Sequence, residues 1–322
     1  MSASDDLRRF VRLLEDLFAG DPPPKRLLQV RPLLRLDAGE SIDDVAPTSG
    51  YTRRKLLVWH QAIQAEGLAS WLGKKKTPDE DRLKRARSGI AQMLLGELAE
   101  RHFEDISTGR LGEIGYRIED QRVGRTDTDY RLIDPDARAI CRLNIKFHGT
   151  LFKQAQEYVG LPPEDCFALA TYKIHGALQR QQEERLPFVF LIISVPDFPR
   201  DLVERNVSDD WTWLAAMSGR AEEERIASRL AREPWADQVK DRIRASEFRV
   251  LSARRAYGLL RDLLFDRVHA LRLRGFNLLF RGAEINMHLS LSREMIGYSE
   301  LIDLIRDRGP LEVAVRLDRG EI

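Results

Sequence analysis

The sequence predicts an α/β chain of the α+β type, in which a helical N-terminal part precedes a sheet flanked by helices. Apolar residues recur with helical spacing through residues 5–72, and from Tyr116 to Phe147 they alternate with polar residues as in strands. Phe188 to Val195 is an apolar run, typical of a strand that is buried on both faces. With 322 residues, the chain is long enough for about two domains or more.

Cap and stop residues divide the N-terminal part into four helices. Ser41 and Thr52 are N-cap residue types that precede helical patterns, and Gly67 is a stop signal. The prolines at 22–24 end the first pattern. The predicted helices span Asp5–Ala19, Leu27–Leu36, Ser41–Ala46 and Thr52–Glu66.

Residues 74–87 are predicted to be a charged linker and helix start that marks the domain boundary, and beyond them the chain alternates between helix and strand patterns. The predicted strands are Tyr116–Val123, Thr128–Ile133, Ala139–Phe147 and Phe188–Val195, with strand-like stretches at Asn277–Leu291 and Leu311–Leu317. The predicted helices are Ile90–Ile106, Leu151–Val159, Pro163–Arg180, Arg254–Leu271 and Tyr298–Arg306. The region of Trp211, Trp213 and Trp235 is also expected to be helical.

Composition excludes several classes of protein. The chain is 43% hydrophobic and 32% charged, as in globular proteins and unlike disordered or collagenous chains. No apolar run approaches a membrane span, and the first residues do not resemble a secretory signal, so we expect a cytoplasmic protein without membrane contact. Cys141 and Cys166 are too few for a disulfide framework and are expected to stay reduced.

The net charge of +1 is distributed unevenly. Between Tyr51 and Ser88, ten basic residues face four acidic ones, an excess of six positive charges. Three of the cations, Arg53, Arg54 and Lys55, directly follow the predicted cap Thr52. They oppose the positive end of the helix dipole, which favours an anionic ligand such as duplex DNA over a merely solvated surface.

Residues 33–72 resemble the helix-turn-helix of transposases and related homeodomain-like DNA-binding proteins. The family pattern places glycine before a short helix, alanine on its core side, glycine at the turn, a Ser or Thr cap and a core tryptophan on the recognition helix. This chain matches the pattern at Gly39, Ala46, Gly50, Thr52 and Trp59. The resemblance implies that Arg53, Arg54 and Lys55 contact DNA.

Polar side chains converge on the predicted strand pair. Along residues 139–148, the side chains of Asn144 and Lys146 share one face because strand side chains alternate. An antiparallel hairpin brings the start of the preceding strand, with Asp127 and Asp129, next to them. The two aspartates share a face, so either one can be the carboxylate of this site, and an ordinary solvated strand edge is the competing interpretation.

This pattern resembles the PD-(D/E)XK nuclease superfamily, which includes restriction endonucleases and RecB-type nucleases. The family has an Asp on one strand, then acid-x-Lys on the next, within a mixed sheet flanked by helices. Asp129 and residues 144–146 match it, although Asn144 stands where the family usually has an acid. Gln154 and Tyr158 resemble the QxxxY element of RecB-like members, and Glu97, with Glu100 second, resembles the acid on the family's first helix.

The resemblance implies a Mg²⁺ or Mn²⁺ site with Asp129, Asn144 and Glu97 as ligands and Lys146 as the residue that orients water. The catalytic set is thus Asp129, Asn144, Lys146 and Glu97, with Gln154 and Tyr158 facing DNA. Because Asn144 brings no negative charge, we expect weak metal binding, or a nuclease fold that no longer cuts.

Together these features predict a DNA-binding, metal-dependent endonuclease that acts on double-stranded DNA in defence, restriction or mobile-element processing. The alternatives are a DNA-binding regulator without nuclease activity and a subunit recruited to a defence or transposition complex through the tryptophan-containing region. Cutting both strands generally needs two sites, which a homodimer or a partner subunit would supply. The predicted domains are a helix-turn-helix domain (1–78), a restriction endonuclease-like core (79–200) and a C-terminal α/β extension (201–322).

Overall fold

The computed structural model describes residues 3–74, 78–122, 130–149, 151–195, 200–265, 278–281 and 284–322. They form an α+β fold with the following elements. The helices are α1 (Ala3–Leu17), α2 (Lys25–Asp37), α3 (Ile42–Ser49), α4 (Arg53–Trp71), α5 (Glu80–Gly112), α6 (Ala155–Val159), α7 (Thr171–Glu184), α8 (Arg200–Asn206), α9 (Asp209–Ser218), α10 (Arg220–Leu230), α11 (Ala236–Arg244), α12 (Ala253–Phe265), α13 (Leu291–Glu294), α14 (Tyr298–Arg308) and α15 (Pro310–Arg319). The strands are β1 (Arg117–Asp120), β2 (Tyr130–Ile133), β3 (Ala139–His148), β4 (Cys166–Ala170), β5 (Phe188–Ser194), β6 (Phe248–Ser252), β7 (Leu278–Arg281), β8 (Glu284–Ser290) and β9 (Ile296–Gly297).

Two compact units divide the chain. One comprises Met1–Glu97 with Pro199–Ala236, and the other comprises Leu98–Phe198 with Asp237–Ile322. The boundary falls inside α5, and the segment around the tryptophans joins the N-terminal unit. The two units group residues that pack together and do not test function, so the predicted division into domains 1–78, 79–200 and 201–322 stays a prediction.

The N-terminal unit begins and ends its helices where the sequence predicts. The Ser41 side chain accepts a hydrogen bond from the Asp44 amide at the start of α3, and Thr52 accepts one from Lys55 at the start of α4. Gly50 ends α3 with a φ of 73°, a left-handed conformation that glycine adopts without strain. Gly67 interrupts α4 with a φ of 82°. The expected caps and stop are confirmed.

Helices α9 and α10 pack on α1 within this unit. Arg9 forms a 2.7 Å ion pair with Asp210 and lies over the ring of Trp213. Trp213 is only 4% exposed and meets Phe10 edge to face. The Trp213 side chain is therefore packed inside the unit, and the recruitment alternative stays a prediction.

The second unit contains a mixed sheet of six strands among its described residues, in the order β1-β2-β3-β5-β6-β9. The β1, β2 and β3 strands form an antiparallel meander, and β3 pairs in parallel with β5. A parallel pair needs a crossover connection, which α6, β4 and α7 provide. A smaller sheet has the order β4-β8-β7.

Both faces of β5 are covered, as its continuous apolar sequence predicts. Phe188, Phe190 and Ile192 belong to a core shared with α7, α12 and the small sheet. The opposite face of the large sheet holds an aromatic group centred on Phe103 of α5, whose ring lies 5.2–5.6 Å from the rings of Tyr130, Phe248 and Tyr298.

Two sequence expectations are wrong. Within the predicted helix Pro163–Arg180, residues Cys166–Ala170 form β4, because this short apolar run pairs along its whole length with β8. Residues Leu311–Leu317, expected to be strand-like, lie in α15. Gly309 and Pro310 start that helix, and only Val313 and Leu317, four residues apart, are buried in it.

Of the described residues, none belongs to a helix that combines the length and apolar character needed to cross a bilayer. Cys141 and Cys166 are buried and carry no disulfide, as expected. Burial raises the pKa of each thiol to about 12. Both are therefore uncharged, structural side chains.

Candidate functional site

Aromatic side chains surround the N-terminal half of α4. Trp59 lies between Tyr51 and Trp71, with ring centroids 5.2 and 5.8 Å away. Leu56 and Ile63 are fully buried below them. This packing fixes α4, the proposed recognition helix, against the unit's core and leaves its other side exposed.

The three cations at the start of α4 have different surroundings. Arg53 forms an ion pair with Asp43 of α3. The Lys55 ammonium lies 4.8 Å from the Trp59 ring centroid and 5.4 Å from that of Tyr51, which are cation–π distances. Arg54 is exposed and has no ion-pair or hydrogen-bond partner within the described residues. Asp43 therefore offsets the charge of Arg53, and Arg54 and Lys55 are the cations left to oppose the helix dipole.

An exposed stripe runs along α4 from Arg54 through Leu57 and Val58 to Gln61. These positions are spaced three, four and seven residues apart and therefore lie on one face of the helix. Leu57 is 41% and Val58 is 56% exposed. The stripe combines a cation, two apolar side chains and an amide.

In the second unit, the strand pair places Asn144 beside the start of β2. Tyr130, the first residue of β2, pairs with Leu143, and Asn144 follows Leu143 on β3. Asp127 and Asp129 directly precede Tyr130 in the chain but lie outside the described residues. Their distances from Asn144 and Lys146 therefore stay a prediction.

Asn144 and Lys146 lie on the face of the sheet that packs against α7. They pair with Phe190 and Ile192 of β5, which belong to the core on that side. Asn144 is 6% exposed, and Lys146 is half-buried. The expected common face of Asn144 and Lys146 is thus present, but it is more deeply buried than a solvated strand edge.

Carboxylates of α5 occupy the other face. Tyr130 packs on Phe103 there, and its hydroxyl donates a 2.7 Å hydrogen bond to Glu104. Arg122 donates to both Glu100 (2.6 Å) and Glu104. Because neighbouring residues of a strand face opposite ways, Tyr130 with its α5 partners and Asn144 lie on opposite faces of the sheet.

Arg122 forms the centre of this cluster. It also bonds Asp120, and its guanidinium lies 5.0 Å from the centroid of the Tyr130 ring. The hydrogen bond from Arg122 holds the pKa of Asp120 below its ordinary value. Burial, followed by the bond to Glu104, raises the pKa of Tyr130. The cluster thus gathers three carboxylates around one cation, next to a phenol that is buried and hydrogen-bonded.

The other candidate residues are placed as follows. Glu97 is half-buried on α5, at the end of the first unit. Gln154 and Tyr158 are both exposed at the short helix α6, whose buried side carries Ala155 and Val159. Their i and i+4 spacing lets them face one surface, as expected.

Sequence reasoning missed Glu104, Arg122 and Tyr130. The spacing of Glu104 from Glu97 and Glu100, seven and four residues, could have placed all three on one side of α5. Nothing in the sequence pairs Arg122 with that helix. The described residues hold no group of three or more His, Cys, Asp or Glu side chains that could bind a metal.

No protein-family model matches this chain, and comparisons with curated proteins and with solved structures give no match either.

Proposed function

We propose that this protein binds duplex DNA through α4 and hydrolyses phosphodiester bonds at a site formed by Asp129, Asn144 and Lys146. The observation that carries the proposal is the element order α5-β1-β2-β3-α6-β4-α7-β5, in which β3 is parallel to β5 and carries Asn144 and Lys146 on one face. Apart from the inserted α6 and β4, this is the order of the nuclease resemblance, and Asn144 and Lys146 stand at two of its motif positions.

DNA binding is supported by the exposed stripe on α4. Arg54 offers an exposed guanidinium that has no partner among the described residues, and such a group suits a phosphate or the major-groove edge of guanine. Gln61 suits adenine, and Leu57 and Val58 offer apolar contact to a thymine methyl group. A mixed stripe of this kind on a capped helix is more typical of a surface that contacts the major groove than of a surface that only contacts water.

Hydrolysis requires that the pairing of β2 with β3 continue for one residue beyond Tyr130, which would bring Asp129 opposite Asn144. The Asp129 carboxylate, the Asn144 amide oxygen and the Ile145 carbonyl would then hold Mg²⁺ or Mn²⁺, since hard cations prefer oxygen ligands. Glu97 is left out of this ligand set, because α5 packs on the opposite face of the sheet, where Phe103 meets Tyr130. A bound divalent ion supplies charge stabilisation for the attacking and leaving oxygens.

Lys146 acts on the same face. Its ammonium group orients the attacking water and offsets the negative charge that develops on the phosphate. Phe190 and Ile192, on the neighbouring strand β5, are buried and exclude water from this part of the sheet. A fixed cation in such surroundings stabilises an anionic transition state more strongly than one in bulk water.

A cleavage assay with matched lysine variants tests this proposal. Supercoiled plasmid is incubated with protein and Mg²⁺ or Mn²⁺, with and without EDTA. We expect nicking or linearisation that EDTA abolishes and that Lys146→Ala reduces by about 10²-fold or more. Lys153→Ala, at an exposed lysine seven residues further on, should cleave as the wild type does. Cleavage that survives EDTA or Lys146→Ala would reject the site.

A second function, DNA binding without cleavage, is favoured by two observations. Asn144 is neutral, and the α5 carboxylates Glu100 and Glu104 already form ion pairs with Arg122. This function predicts that the protein shifts DNA in a gel but leaves plasmid intact with every divalent metal. The protein would then act as a regulator or as a subunit of a defence or transposition assembly.

A further inference from the structure

Three arginines line one cleft of the second unit, away from the candidate catalytic residues. The cleft has a volume of about 530 Å³ and lies where the end of α7 approaches α12 and α15. Arg185, Arg254 and Arg319 supply its cations, and Asp318 is its only acidic residue among the described ones. This volume lies in the range of small-molecule sites.

The walls of the cleft are fixed by buried and close contacts. Gln181, 3% exposed, donates a 2.7 Å hydrogen bond to Asp318 and accepts one from the Phe188 amide, which joins α7, α15 and β5. Arg254 donates to the Asp318 carbonyl. At Gly320, an added Cβ would lie 2.9 Å from the Arg255 amide nitrogen, so glycine permits the close approach of α15 to α12.

Arg185 is unusual in both backbone and side chain. It ends α7 with φ 55° and ψ 34°, a left-handed conformation in which glycine or asparagine is the common residue. The Arg185 guanidinium is exposed and has no ion-pair or hydrogen-bond partner in the described part of the chain. Arginine is thus uncommon at this backbone conformation, and no hydrogen bond or ion pair within the described residues accounts for it.

We propose that this cleft binds a small ligand through an oligophosphate group, such as the phosphate chain of a nucleotide. Guanidinium groups match phosphate oxygens with paired, charge-assisted hydrogen bonds. Arg254 also holds the Asp318 carbonyl and Arg319 forms a long, 3.9 Å ion pair with Glu321, so each keeps donors for a ligand, and together with Arg185 they suit two or more phosphates. No aromatic side chain lines the cleft among the described residues, so it recognises the phosphates rather than a base.

This site is distinct from the candidate catalytic residues. The cleft lies at the start of β5, where Phe188 pairs with Arg142, whereas Lys146 pairs with Ile192. Four strand residues separate the two pairs, about 13 Å at the usual rise. The cleft proposal therefore does not depend on the nuclease proposal.

Calorimetric titration of the full-length protein with inorganic tripolyphosphate tests the site, and ATP serves as a second probe. We expect one tripolyphosphate per chain. Arg185→Gly and Arg319→Gln should each weaken binding roughly tenfold or more. Arg261→Gln, at an exposed arginine of α12, should bind as the wild type does.

Arg185→Gly also separates a loss of binding from a loss of folding. Because glycine adopts a left-handed conformation freely, the melting temperature of Arg185→Gly should equal or exceed that of the wild type. Its affinity for tripolyphosphate should nevertheless fall. Absence of tripolyphosphate binding, or equal binding by all three variants, would overturn the proposal. Loss of duplex-DNA binding in Arg185→Gly without any tripolyphosphate binding would also overturn it, since the arginines would then contact a DNA backbone.

Discussion

His288 should make this protein less stable in mild acid. The side chain lies on β8, 4% exposed, with its Nδ1 3.3 Å from the Cys166 sulfur. Burial, and secondarily the charge of His148, lower the pKa of His288 from 6.5 to about 4. The folded protein therefore holds a neutral imidazole over a pH range in which the unfolded chain binds a proton.

The sign and size of the effect follow from that difference. Because the unfolded state takes up more protons, the stabilising contribution is complete above pH 6.5 and is lost as the pH falls towards 4. Lowering the pH from about 7.5 to about 5 should cost about 2 kcal/mol in the free energy of unfolding.

Urea unfolding at these two pH values, in the wild type and in His288→Gln, measures the effect. The substitution lowers stability at both pH values, because it removes the Cys166 contact, but it should reduce the difference between them by about 2 kcal/mol. His175→Gln, at an exposed position of α7, controls for loss of a histidine elsewhere. If His288→Gln loses as much stability as the wild type on acidification, the buried neutral imidazole is refuted.

Three further predictions concern single residues. Ala137 has a φ of 63° in the β2–β3 turn, so Ala137→Gly should raise the free energy of unfolding by about 0.5–1 kcal/mol in urea melts, and a decrease would contradict a strained alanine. Asn144→Asp buries a carboxylate and should therefore lower the melting temperature in the absence of metal. Mg²⁺ should raise the melting temperature of this variant more than that of the wild type, and equal rises would argue against a metal at this position. Arg54→Gln should weaken duplex binding and reduce the slope of log affinity against log salt by about 1, whereas Arg220→Gln should leave that slope unchanged.

Local signals were enough to predict the N-terminal helices and the central strands. The helix cap at Thr52 and the helix interruption at Gly67 depend on residues next to them in the chain, so a short stretch of sequence predicts them. The continuous apolar run of β5 likewise implies cover on both faces, and the structure provides it. Features of this kind need no knowledge of the rest of the chain.

Elements whose structure depends on distant partners could not be predicted in the same way. Residues Cys166–Ala170 are a strand because β8, more than a hundred residues later, pairs with them. The grouping of Arg122 with Glu100 and Glu104 depends on how β1 passes α5. A run of five apolar residues is compatible with a helix or a strand. The sequence around a single arginine does not indicate which distant carboxylate it will pair with.

The position of Arg122 bears directly on whether the protein can cut DNA. Its guanidinium bonds Glu100 and Glu104 and lies over Tyr130, so a divalent ion at these carboxylates would have to displace a well-bound cation. The α5 acids thus hold Arg122 and Tyr130, the residues on either side of 123–129. The proposed ion relies instead on the opposite face of the sheet, where Asn144 is neutral. One aspartate with neutral oxygens binds Mg²⁺ weakly, so the metal response of Asn144→Asp separates a weak nuclease from a protein that only binds DNA.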